Sequence, residues 1–145
     1  MPSTRKGSMS KAVQTPVEKF SHILDITLEA YADEVFILTQ GVIDAIGKEG
    51  AKAVSANAKK AVHSRTYHKG WTYSSQRPKN HHKRETTGVI YNQTEYRLAH
   101  LLERSHVMSN GTNRNFGMSK AHPHIEPVEQ EIIDKISDKL MRAIK

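Results

Sequence analysis

The sequence predicts an α+β fold: a long N-terminal helix, a short antiparallel sheet, a short helix and a C-terminal helix, the helices packed on one face of the sheet. Three observations carry this. An apolar stripe at helical spacing runs from Phe20 to Val62. Two β-rich segments, "GWTYS" and "TTGVIYN", are separated by a polar, basic connection. A second apolar stripe closes the chain from Ile125 to Ile144.

The elements follow in order. Residues 1–15 are small, polar and basic without periodicity, which predicts a disordered extension ahead of one domain over 16–145. From Pro16, apolar residues recur three and four apart: Phe20, Ile23, Leu24, Leu28, then Val35, Leu38, Val42, Ile46, then Ala53, Val54, Ala58 and Val62. This is one helix of more than forty residues. Asp25 and the group Gly41, Gly47 and Gly50 mark places for a break or for close packing, since a helical glycine costs about 1 kcal/mol against alanine. A stripe this long exceeds what so small a domain can cover, which points to oligomer contacts. "GWTYS" then alternates as a strand does, with Trp71 and Tyr73 on one face, toward the helices. It pairs with "TTGVIYN" in a hairpin with a long tip. Tyr96, Leu98, Ala99, Leu101 and Leu102 suit a short buried helix introduced by Asn92 or Thr94 as cap. "SHVMSNGTNRNFGMSKA" reads as a Gly- and Asn-rich loop. In the last helix Pro127 stands near the first position, Glu126, Glu129 and Glu131 gather at the start, and Lys139, Arg142 and Lys145 sit at the end, as the helix dipole favours.

Composition excludes several classes. Without cysteine there are no disulfides or thiolate metal sites, which suits a reducing cytoplasm. No apolar run reaches about 18 residues, so no membrane span is expected, and the N-terminus lacks the apolar core of a signal peptide. The net charge of +7 is distributed in blocks. Residues 16–50 carry two bases against seven acids, whereas residues 51–84 carry nine bases and no acid. Blocks of this kind suit a surface that meets another charged surface.

Several constellations are candidates for chemistry. Glu103 and His106, three residues apart at a helix end, suit a general-base pair, two metal ligands or a structural latch. No nucleophile elbow accompanies them, so no catalytic residue is assigned and no enzyme is expected. Nine histidines, among them His100, His106, His122 and His124, raise zinc, but no spacing matches a ligand signature, so neither metal nor cofactor is expected. The basic stretch, with Tyr67, Trp71 and Tyr73 interleaved, suits phosphate contact and base stacking. A small basic nucleic-acid-binding protein is therefore the alternative reading.

Four short motifs, in order, resemble the tail-component family of long-tailed bacteriophages, the neck, head–tail joining and tail-completion proteins. Thr66, Lys69, Gly70 and Trp71 match the first, and Val89, Tyr91 and Asn92 the second. Tyr96, Leu98, His100, Leu101, Leu102, Glu103 and His106 match the third; Pro123, His124, Ile125 and Pro127 match the last. The resemblance spans about residues 20–145. One departure is Ser105, where the family commonly has glycine before the histidine. If that position is left-handed, serine there costs about 1 kcal/mol.

The resemblance implies a non-catalytic virion protein at the head–tail junction or in the tail, assembled in the host cytoplasm. It implies a homo-oligomeric ring, sixfold in keeping with a phage tail, that meets head-closure, tail-tube or tail-terminator proteins, with at most weak contact to passing DNA and none to a membrane. It also favours the latch, because more distant relatives look to carry "P-F" where "P-H" stands here, and phenylalanine is neither ligand nor base. Glu103 is then expected to accept hydrogen bonds from the loop or from the start of the last helix, with His106 and His124 beside it. A ring needs two different patches that meet around the circle, and the acidic face of 18–49 and the basic stretch 52–84 are such a pair. The competing use of Lys69, Arg77, Lys79, Lys83 and Arg84 is to line a DNA channel.

Overall fold

The computed structural model describes residues 17–77, 83–109, 111–112 and 114–144. The element order is α1 (Val17–Ala61), a 3₁₀ turn (Tyr67–Gly70), β1 (Trp71–Gln76), β2 (Thr87–Asn92), α2 (Tyr96–Glu103), β3 (Val107–Ser109), β4 (Asn115–Met118) and α3 (Glu126–Ile144). The fold is mixed α+β and mostly helical. The disordered extension expected over residues 1–15 lies outside the described residues, as do Lys79 and the hairpin tip around it.

The chain forms two compact units that divide inside α1, after Glu34. In the first unit, residues 17–34 are helix and every side chain except Ala32 is exposed. The exposed set includes the acids and also Phe20, Ile23, Leu24, Leu28 and Tyr31. The stripe that the sequence assigns to a core is therefore bare over this stretch.

In the second unit, the same periodicity is buried. Ile46, Ala51, Val54 and Ala58 of α1, Tyr67 and Val128 of α3 form the apolar core. β1 and β2 pair antiparallel in the register Trp71↔Asn92, Tyr73↔Ile90 and Ser75↔Gly88, so these residues share one face. α1 approaches that face, and α3, through its glycines. A Cβ on Gly47 would strike the Tyr73 ring, and one on Gly50 would strike Ile132 of α3 and Ile90 of β2. The two glycines thus serve close packing, and α1 runs without a break through them and through Asp25. The Tyr73 hydroxyl donates to Asp44 Oδ1 at 2.8 Å, which ties β1 to α1.

Three expectations need correction. The segment read as a loop contains an antiparallel pair, β3 with β4, with a register irregularity between Val107 and Ser109. α2 is not a buried helix: Tyr96 and Leu98 are exposed, and Ala99, Leu101 and Leu102 are half-buried. Its N-cap is Glu95, which makes no side-chain cap bond. Asn92 acts one step earlier, its Oδ1 accepting from the backbone amides of Thr94 and Glu95.

Candidate functional site

The four motifs meet in one buried cluster at the point where α3 begins. Ile125 supplies the carbonyl that accepts the first bonds of α3, from Val128 and Glu129. A helix start leaves its first amides without partners. Here Pro127 has no amide to satisfy, and Glu103 takes the others. Its Oε2 accepts from His124 N at 3.0 Å and Ile125 N at 3.1 Å, and its Oε1 from Glu126 N at 2.9 Å. The carboxylate arrives from the last residue of α2, so one side chain ties the end of that helix to the start of α3.

His124 is fully shielded and continues the cluster inward. Its Nδ1 lies 2.8 Å from the His122 carbonyl and 3.1 Å from Glu103 Oε2. Both are acceptors, so the hydrogen sits on Nδ1. Nε2 is then left to accept from the Tyr67 hydroxyl, 2.9 Å away. Tyr67, also fully buried, packs edge-on against both the His124 and Trp71 rings, with centroids at 5.5 and 5.9 Å, and Trp71 meets His124 at 5.8 Å. Edge-to-face packing of this kind adds to the burial of each ring.

The second motif closes the other side. Asn92 is buried, and its Nδ2 donates to the Tyr67 carbonyl at 2.8 Å. Its Oδ1 accepts from the amides of Thr94 and Glu95 and from the Thr94 hydroxyl. Gly70 lies against this group: a Cβ there would collide with Asn92 Oδ1 and Thr94 Oγ1. Only glycine lets the 3₁₀ turn pass under Asn92. On the outer rim, the Thr66 hydroxyl donates to Glu95 Oε1 at 2.6 Å.

The electrostatics follow from this geometry. Burial works to raise the Glu103 carboxyl, but the amides of Glu126, His124 and Ile125, with the His124 imidazole, outweigh it and hold the group below its ordinary range. The Tyr67 phenol is pushed up to about 12, first by burial and then by the charges of Glu103 and Glu95. The protons on the Tyr67 hydroxyl and on His124 are each committed to a protein partner, and His124 is closed to solvent. What the arrangement does chemically is cap a helix and brace it against the sheet.

Not every motif residue joins the cluster. His106 does not reach Glu103: its Nδ1 lies 3.1 Å from the Leu101 carbonyl and 2.7 Å from Ser119 Oγ, while its backbone exchanges bonds with Ser119. It pins the β3–β4 pair to the end of α2. His100, Tyr91 and Tyr96 are exposed, as are Pro123 and Pro127, and Leu102 is half-buried. Ser105 has no positive φ, so the chain leaves α2 without a left-handed residue and the serine carries no backbone penalty. Lys69, Arg77, Lys83 and Arg84 are exposed. Among the described residues, no group of three histidine or carboxylate side chains is arranged to hold a metal ion, and no helix is long and apolar enough to cross a membrane.

The centre of the cluster is what sequence reasoning misses. In the sequence, Tyr67 stands out only as an aromatic within a basic stretch. The available signal is its place directly before "HKGW", where a large residue close to a required glycine suggests a packed turn. No protein-family model, curated protein or solved structure matches the chain.

Proposed function

We propose that the chain is a structural protein of a bacteriophage neck or tail, acting in an oligomeric ring that joins head to tail or completes the tail. The observation that supports this reading is the convergence of Gly70, Trp71, Asn92, Glu103 and His124 on one buried brace. Of the residues that carry the resemblance, Thr66, Asn92, Glu103 and His124 are engaged in internal bonds that build the fold, whereas Lys69, Tyr91, Tyr96 and His100 stay exposed. The bare apolar stripe of residues 17–34 adds a surface in need of partners.

The nucleic-acid alternative draws on the exposure of Lys52, Lys59, Lys60, Arg65, Lys69, Arg77, Lys83 and Arg84. The aromatics weigh against it. Tyr67 is fully buried, and the half-buried Trp71 and Tyr73 are engaged with the Tyr67 ring and with Asp44, so none of the three is an exposed ring like the stacking platforms of single-strand binders. Electron microscopy of lysates from a phage or prophage with this gene disrupted tests the proposal. DNA-filled heads beside unattached or abnormal tails are expected. Normal, infectious particles overturn the proposal and leave DNA binding as the reading to pursue.

A further inference from the structure

The second unit carries a groove of about 510 Å³ between the C-terminal third of α1 and β1. Ala51, Trp71 and Tyr73 contribute its apolar lining, and Lys48, Lys52 and Lys59, all exposed, stand along it. No acid is among the lining residues. His68 Nδ1 and Trp71 Nε1, from two side chains of the same lining, are shielded from solvent and have no hydrogen-bond partner. The groove is therefore apolar within, positive at its edges and short of acceptors.

The first unit has the complementary features. Phe20, Leu24, Leu28 and Tyr31 are 62, 45, 56 and 58 % exposed and lie three and four residues apart, on one side of the helix. Asp25 and Glu34, nine residues apart, fall on opposite borders of that stripe, and both are exposed. Tyr31 lies eleven positions after Phe20, as Lys59 does after Lys48, so each surface extends about 16 Å along its helix.

We infer that residues 17–34 of one copy dock in the Lys48–Lys52–Lys59 groove of a second copy. The stripe covers the apolar lining, and Asp25 and Glu34 meet the lysines at the edges. The contact joins two different patches, as a head-to-tail ring requires. The inference rests on the ring-forming reading above only in taking a second copy as the partner.

Sedimentation velocity of the full chain over a concentration series at low salt tests it. The native chain is expected to self-associate. The pair Asp25→Lys with Glu34→Lys, and separately Lys52→Glu with Lys59→Glu, should each weaken association about tenfold or more, the change that about 1.4 kcal/mol produces. An equimolar mixture of the two reversed chains should recover it. Leu24→Asp should weaken association without moving the melting temperature of the dissociated chain, because the side chain is largely exposed there. A native chain that stays monomeric at every concentration overturns the inference, as do reversed chains that associate like the native one. Lysine reversal that abolishes binding to duplex DNA and leaves self-association intact also overturns it and assigns the groove to phosphate. If the interface fails while gene disruption still yields unattached tails, the ring reading stands without this contact; normal particles remove the ring reading on their own account.

Discussion

Replacing Glu103 by Gln tests the brace most directly. The carboxylate accepts three backbone amides, at 3.0, 3.1 and 2.9 Å, and faces His124 Nδ1 at 3.1 Å. Glutamine keeps one oxygen, so whichever end becomes the amide nitrogen points a donor at donors. Bonds to a charged acceptor are worth about 1.5–3 kcal/mol each, and leaving a partly buried donor unmet costs about 1–3 kcal/mol. With some of the bonds retained, the net loss is about 2–3 kcal/mol, since single cap residues already account for about 1 kcal/mol. For a chain of this length that lowers Tm by about 6–12 °C at about 3–4 °C per kcal/mol. Calorimetry at neutral pH measures it. A pH series adds a sign that packing loss cannot imitate. Because the folded carboxyl lies below its ordinary 4.5, its contribution is fully present above that value and fades as pH falls through the folded pKa. The native and E103Q chains should therefore differ at neutral pH and converge in acid. A Tm difference under about 1 °C at neutral pH, or a difference that persists unchanged in acid, refutes the reasoning.

Four further outcomes are expected. Tyr67→Phe leaves His124 Nε2 buried without its donor and should cost about 1–3 kcal/mol in urea unfolding with the slope unchanged. Gly70→Ala drives a methyl into Asn92 and Thr94 and should cost about 1–3 kcal/mol, read as a lower Tm, whereas Gly41→Ala meets open space and should raise Tm slightly. Ser105→Gly should not stabilise the chain, because the position has no positive φ; a gain of more than about 1 kcal/mol in thermal melts would contradict that exit from α2. In an absorbance titration at alkaline pH, the phenols of Tyr67 and Tyr73, each pushed up to about 12, should ionise last. Since their folded values are raised, the stability they lend is intact below pH 10 and is lost as pH rises through about 12.

The legible parts of this fold are those with long periods or several agreeing signals. α3 is marked by Pro127, by its acids and bases at opposite ends and by a stripe along its length; α1 is marked by spacing, and the β1–β2 pair by alternation together with aromatic and β-branched residues. β3 and β4 are not legible because strands of three and four residues, joined across an irregular register with Gly111 and Gly117 at positive φ, are too short to show alternation. The pairing of Glu103 with His106 extends helical spacing past the end of a helix: α2 stops at Glu103, so three residues on, the chain points elsewhere. Glu103 instead meets His124, a neighbour only in space, and the motif resemblance rather than any spacing pointed to that contact. Tyr67 is hidden for a related reason. A residue whose burial depends on a turn, an asparagine from the next strand and a histidine ahead of the last helix leaves no local period.

The division inside α1 explains why one uninterrupted stripe has two fates. From Val35 onward it has Tyr73, Ile90 and Ile132 to pack on, and Ile46 and Ala58 reach full burial. Before Glu34 the same spacing carries Val17, Phe20, Ile23, Leu24, Leu28 and Tyr31 at 45–82 % exposure. Each such side chain forgoes about 1.5–3 kcal/mol of burial while it stays in water. Most helices in proteins owe their stability to packing an apolar face rather than to propensity, and residues 17–34 leave that face unpacked. On the inference drawn above, the stripe is one half of an interface between copies, whereas the polar brace around Glu103 and His124 holds together the second unit that carries the groove. The two roles should come apart under mutation: Leu24→Asp disturbs assembly and spares the melt of the monomer, while Glu103→Gln lowers the melt in the monomer and in any oligomer alike.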